Sequence, residues 1–268
     1  MRKLLIALLV IYTALTFYTV LSFFVGVSFQ PIFTPLLSVL AFSFAVIHGS
    51  LRMGWKKALL LLFLTFAVSL TFESLGVATG LVYGPYHYTD KLGVKFLGLV
   101  PYLIPIAWFM MTYPSYMIAS RLIPFSRHVW RWRLAVAAVG ALIMTAWDLP
   151  MDPMMVAGKH WVWEVQGAYF GVPIQNYWGW WLTVFVAFLL FLTFSGQRPV
   201  RNESPNSAFE RLAIVSYAVT GLSTIIVNFQ IGLAGPALVG IFAMLPWVVF
   251  GWLGANERLR TQAASRKS

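Results

Sequence analysis

The chain has no cysteine. That excludes disulfides, thiol nucleophiles and Cys-ligated zinc or iron–sulfur centres. Charge is scarce: 10% of the 268 residues are Asp, Glu, Lys or Arg, and only 8 are acids. Histidine numbers 4, too few for a histidine-rich di-iron membrane hydroxylase. No Gly-rich strand–turn–helix phosphate motif occurs, so a nucleotide cofactor has no visible home. The absence of an internal repeat weighs against an inverted-repeat transporter. No gap between the apolar runs is long enough for a separate soluble domain, so residues 1–268 read as one polytopic membrane domain.

What the chain has is apolar length. It is 60% hydrophobic and 17% aromatic, with mean hydropathy +0.78. Apolar runs fall at 4–26, 35–50, 58–79, 97–119, 134–151, 178–195, 211–229 and 236–254, lengths that indicate transmembrane helices. The first run follows Arg2 and Lys3, exceeds a signal-peptide core and lacks an A-x-A site, so it reads as a retained span. The second is the weakest, opened by Pro31 and Pro35 and closed by Gly49 and Arg52. Dropping it would put the termini on opposite sides and spoil the charge pattern.

That pattern is one-sided. Arg2, Lys3, Arg52, Lys56, Lys57, Arg121, Arg127, Arg131, Arg133, Arg198, Arg201, Arg211, Arg258, Arg260, Arg266 and Lys267 fall at the termini and in the even gaps, and only Lys91, Lys95 and Lys159 in the odd ones. The positive-inside rule then predicts an all-α integral membrane protein with about eight transmembrane helices and both termini in the cytoplasm. The expected location is the inner or plasma membrane, with lipid as surroundings. Net charge +11 and pI near 10.1 do not indicate nucleic acid, because the basic residues flank spans.

The outer gaps, 80–96 and 152–177, are rich in Gly, Pro and aromatics. They suit an aromatic belt at the interface, or segments folded back over a cavity. Residues 195–207 read as a polar cytoplasmic linker.

Acids inside apolar spans are costly and mark sites by default. Glu73 lies fifteen residues into the third span, about 22 Å along a helix, and Asp148 about 21 Å into the fifth. Gly76 and Gly80 form a GxxxG pair on the Glu73 face, giving close helix approach or room for substrate. Asp148 opens WDLPMDP, where Pro150 and Pro153 predict a broken helix that aims Asp148 and Asp152 inward. Each acid also has a structural reading: a protonated Glu73 bonded to a neighbouring helix, and aspartates capping a helix end. A carboxyl kept neutral by an apolar pocket can serve as a general acid, and a second carboxylate can orient water or accept a proton. Aromatic faces stabilise cations by roughly 0.5–2 kcal/mol each, so the setting suits acid-initiated carbocation chemistry.

His87 and His160, with Asp90, Asp152 and Glu164, form a weaker metal alternative. His48 and His128 read as structural or interfacial. Asn176, Asn228 and Gln230 lie at outer helix ends, as caps or cavity hydrogen-bonders.

The blocks ESLGVATGLVYGPYHYTDKLG, VPYLIPIAWFMM, WDLPMDPMM and YFGVPIQNYWGW together resemble the membrane carotenoid biosynthesis family, which includes carotenoid 1,2-hydratases. The resemblance covers about residues 70–181. It implies addition of water to the terminal double bond of an acyclic carotenoid, with no cofactor: an acid protonates the bond, and water captures the tertiary cation. On chemical grounds Asp148 or Glu73 is the expected proton donor and Asp152 the residue that positions water. Tyr83, Tyr86, Trp147 and Trp163 are candidates for cation stabilisation, and Gly76, Gly80 and Asn176 complete the expected substrate site. Alternatives are a carotenoid cyclase beginning with the same protonation, a prenyltransferase, and a proton-coupled transporter or lipid-binding membrane protein. The prenyltransferase fits poorly, because the acids lie opposite the arginine clusters.

Overall fold

The computed structural model describes residues 1–27, 30–198 and 207–265. Most of the 195–207 linker therefore lies outside the described residues, as do Arg201, Arg266, Lys267 and the side chains of Arg258 and Arg260.

Among the described residues there are eight α-helices: α1 (Arg2–Phe24), α2 (Phe33–Met53), α3 (Trp55–Thr79), α4 (Leu103–Leu122), α5 (Val129–Ala157), α6 (Ile174–Phe194), α7 (Ser207–Gln230) and α8 (Ala234–Ser265). The expected second span is present as α2. Seven of the helices are long and apolar enough to cross a membrane, and α4 is the exception. Its position supplies the reason. Helix α4 packs against α2, α3, α5, α7 and α8, and its central residues Trp108 to Ala119 are all buried. A helix that faces protein can carry Thr112, Tyr113, Ser115 and Tyr116. The peripheral helices present Phe63 and Phe242 outward, 67% and 77% exposed, as a lipid-facing surface requires.

One face of the bundle is pinned by buried charge. Arg52 Nε, at the end of α2, donates to Glu210 Oε1 at the start of α7 over 2.7 Å, and Arg121 at the end of α4 takes the other carboxylate oxygen. His48 sits beside them with no exposed surface, between Tyr113 Oη (2.5 Å) and the Phe209 carbonyl (2.8 Å). The Arg2 guanidinium lies over the Phe209 ring and that of Arg211 over Trp252, so both chain ends approach this same face. It is the basic face, the one the positive-inside rule expects on the cytoplasmic side. A reporter fused after Ser268 is expected to be active in the cytoplasm; periplasmic activity would overturn the orientation.

The other face is closed by short strands. In the α3–α4 connection, β1 (Tyr86–Tyr88) is followed by a 3-10 turn (Asp90–Leu92) and a small hairpin of β2 (Lys95–Phe96) and β3 (Val100–Pro101). In the α5–α6 connection, β4 (Trp161–Trp163) pairs antiparallel with β1, with Tyr86 opposite Trp163 and Tyr88 opposite Trp161. Strand alternation puts Tyr86 and Tyr88 inward and His87 outward. Of the two readings of the outer gaps, the structure shows the folded-back one.

Candidate functional site

Beneath this ladder, in the outer half of the bundle, lies a cavity of about 690 Å³. Glu73 of α3 and Asp152 of α5 both reach its wall, with Tyr83, Tyr86, Trp147, Trp163 and Asn176. Phe23, Val27 and Ile231 also line it and are 51%, 49% and 44% exposed, so the cavity extends to the lipid-facing surface beside α1 and α7.

Glu73 is 3% exposed and fully engaged as an acceptor. Tyr86 and Tyr88 donate to Oε2, the latter over 2.8 Å, and Trp108 Nε1 donates to Oε1 over 3.0 Å. Burial pushes both phenols well above their ordinary range, and the Glu73 charge adds to it, so they remain donors. The Glu73 carboxylate is thus held in a fixed three-donor cradle.

Asp148 and Asp152 share a different device. Asn176 Nδ2 donates to Asp148 Oδ2 (2.9 Å) and to Asp152 Oδ2 (2.5 Å), and Trp161 Nε1 donates to Asp152 Oδ1 (2.6 Å). One amide therefore bridges two buried acids, 0% and 1% exposed. Asp148 Oδ1 has no hydrogen-bond partner. Asp152 meets the cavity, whereas Asp148 stands behind it and does not line the wall.

The expected helix break at Pro150 and Pro153 does not occur. Helix α5 runs through both prolines to Ala157. A proline cannot donate to the carbonyl four residues earlier, so Pro153 frees that of Leu149. Tyr169 Oη donates to Leu149 O over 3.2 Å, and Asn228 Nδ2 donates to Pro150 O over 2.8 Å. Tyr169 thus takes over the bond lost at Leu149, Asn228 adds a tie at Pro150, and the helix continues. Both aspartates consequently stay one helical turn apart on one face of a continuous helix.

The Gly76/Gly80 expectation is also corrected. Neither residue lines the cavity. Gly80 ends α3 in the left-handed region, φ +69°, which glycine adopts without strain. Gly76 faces the Tyr83 ring rather than a substrate: a Cβ there would lie 2.6 Å from Tyr83 Cδ2. From the other side Gly179 of α6 meets the same ring, at 2.5 Å from Cδ1. Two glycines thus clamp Tyr83, whose hydroxyl bonds Thr183 Oγ1 at 2.7 Å. Gly179→Ala is expected to cost about 1–3 kcal/mol by overpacking. Thermal unfolding in detergent measures this, and an unchanged midpoint would contradict the clamp.

Beside the expected Trp147, the site contains Trp108, Trp180 and the ladder aromatics Tyr88 and Trp161, which were not singled out from sequence. The Trp108 and Trp180 rings stack at 4.2 Å, and Trp147 meets Trp180 edge-on at 6.0 Å. The signal for the ladder was the period-2 aromatic pattern Tyr86-His87-Tyr88 and Trp161-Val162-Trp163.

His87 and Glu164 approach only to 3.6 Å on the exposed side of the ladder, and Asp90 pairs with Lys95. Burial and the Lys91 charge hold His160 below its ordinary value. Among the described residues no three His, Asp or Glu side chains are grouped to hold a metal ion.

Residues 33–246 match the family described as carotenoid biosynthesis protein. The chain is 31% identical over 164 residues to the bisanhydrobacterioruberin hydratase of Haloarcula japonica. The aligned part is 61% of this chain and 54% of that protein, so the chain spans about half the length of this relative. No solved structure matches.

Proposed function

Because the chain belongs to the carotenoid biosynthesis protein family, we propose that it adds water to the terminal double bond of an acyclic carotenoid within the membrane. The observation that carries this reading is the cavity with two differently held carboxyls, Asp152 and Glu73, whose wall includes the stacked Trp108 and Trp180 indoles and which opens toward lipid. The named relative, a hydratase, points the same way.

The two carboxyls divide the work. Asp152, backed by Asp148 through Asn176, transfers a proton to the less substituted carbon of the terminal double bond, leaving a tertiary cation on the other carbon. Glu73 bears three fixed donors and is the poorer proton source; its carboxylate faces the developing positive charge instead. The Trp108, Trp147 and Trp180 rings add cation–π stabilisation. Water bonds to the cation and gives up a proton to solvent, and Asp152 is reprotonated from water, which restores the acid. The net change is one water added per end, with no redox step and no cofactor required. This assignment moves the donor role from Asp148 or Glu73, where it was first expected, to Asp152, which was first expected to position water; Asp152 faces the cavity and Asp148 does not. A long polyene enters sideways from the bilayer past Phe23, Val27 and Ile231.

Expression in an acyclic-carotenoid-producing host tests this reading. Product heavier by one water per reacted end is expected. A product of unchanged mass with a ring at its end would make the protein a cyclase, and an unchanged pigment would leave a carrier.

A further inference from the structure

The cavity wall opposite the carboxyls is built from α1 and α7 and carries hydroxyls: Tyr12, Thr16, Thr220 and Thr224 all line it. Their protons can be accounted for. Thr220 Oγ1 donates to the Ser216 carbonyl over 2.9 Å, so the Tyr12 hydroxyl is the donor in its 2.7 Å contact with Thr220 and retains an accepting lone pair. Thr224 donates to the Thr220 carbonyl (2.9 Å) and accepts the Trp147 indole N–H (3.2 Å). The other lining hydroxyls of these two helices, Thr19, Ser22 and Ser223, donate to backbone carbonyls of their own helices. Thr16 differs. It is 3% exposed and lines the cavity, and its Oγ1 makes no bond to a backbone carbonyl, meeting only the Tyr12 hydroxyl. A buried hydroxyl that declines the usual backbone bond and faces a cavity leaves a donor and acceptor for a guest.

We propose that Thr16, with Tyr12 one turn away on the same face, binds the water that captures the cation. A buried water needs two to four polar partners. The Thr16–Tyr12 pair supplies them: both hydroxyl oxygens can accept, and the Thr16 proton can turn from Tyr12 to the water. The depth is right. Measured from outer helix ends at 1.5 Å per residue, Thr16 is about 12 Å in, Thr224 and Glu73 about 9 Å, and Asp152 about 7.5 Å. All lie in one slab, with the indoles between the acids and the hydroxyls. Proton donor and nucleophile are thereby kept on opposite walls. The acid is not quenched by the water it must outlast, and the cation forms between them.

This inference rests on the hydratase reading, and the experiment separates the two. Full-length protein in its membrane is supplied with acyclic carotenoid in deuterated water, and both hydrated product and deuterium in recovered substrate are measured. Protonation and reversal put deuterium into the substrate without water capture. Thr16→Val keeps shape and removes the hydroxyl. The ratio of hydrate to exchanged substrate is expected to fall about tenfold, equivalent to one good hydrogen bond in the capture step. Thr16→Ser should restore it, and Tyr12→Phe should lower it less. A wild-type ratio in Thr16→Val overturns the proposal. So does a parallel fall of hydrate and exchange that Thr16→Ser fails to rescue, which marks a packing role. A raised KM for an already hydroxylated carotenoid at unchanged ratio would overturn it too, making the wall a substrate-hydroxyl site. Wild-type protein that forms no hydrate removes the hydratase reading, and this one with it.

Discussion

Asp152→Asn is expected to lower product formation by roughly 10²–10⁴-fold, the range general acid catalysis contributes. Asn preserves shape but has no transferable proton. It also has one acceptor where Asp152 uses two oxygens, for Trp161 and Asn176, so one hydrogen bond is lost. That structural loss is worth about 1 kcal/mol, less than one tenfold step in rate, so the two contributions separate by magnitude. Deuterium exchange into substrate should vanish along with product, because no cation forms. Asp148→Asn should be milder: Asp148 acts only through Asn176. Retention of a third or more of the activity in Asp152→Asn, with Asp148→Asn inactive, would return the donor role to Asp148.

Glu73→Gln is expected to cost on the order of 10²–10³-fold by a different route. A unit charge about 4 Å from a cation is worth about 4 kcal/mol at an effective dielectric of 20, and the amide removes it. The amide also points N–H groups at donors, since Tyr86, Tyr88 and Trp108 all donate to this carboxyl. Tyr88→Phe removes one donor and keeps the charge, so its loss should be much smaller. Product analysis in membranes, normalised to folded protein by detergent gel filtration, checks both. A Glu73→Gln protein that is folded and fully active would show that the carboxylate is only a structural acceptor.

The spans were legible because each is a long apolar run whose flanking charge alternates. Glu73, Asp148 and Asp152 were legible because a carboxyl in hydrocarbon needs a reason. Their partners were not. Asn176 read equally as a helix cap or a cavity hydrogen-bonder, because nothing local shows that one amide lies between two acids from another helix. The proline signal in WDLPMDP was real but misread: proline frees a carbonyl, and whether the helix then breaks depends on donors such as Tyr169, far along the chain. Gly76 and Gly80 satisfied a motif for helix pairing, yet an aromatic ring occupies the space. The three-residue strands gave only two aromatic doublets, too short to separate from an interfacial belt.

The β1–β4 ladder sets a length inside the membrane from outside it. Tyr86 and Tyr88 on one strand hold Glu73, while Trp161 on the other holds Asp152, and the Tyr88 and Trp161 rings meet at 5.7 Å. Backbone bonds Thr89 N to His160 O (3.0 Å) and Glu164 N to Pro85 O (2.9 Å) extend the pairing at both ends. The donors that hold the two carboxyls are therefore aligned by strand register, although the carboxyls themselves ride on α3 and α5. A one-residue slip in either strand would turn its inward aromatics outward and strip the donors from one carboxyl without altering any transmembrane helix. The hold on acids inside the membrane is consequently set by two three-residue strands outside it.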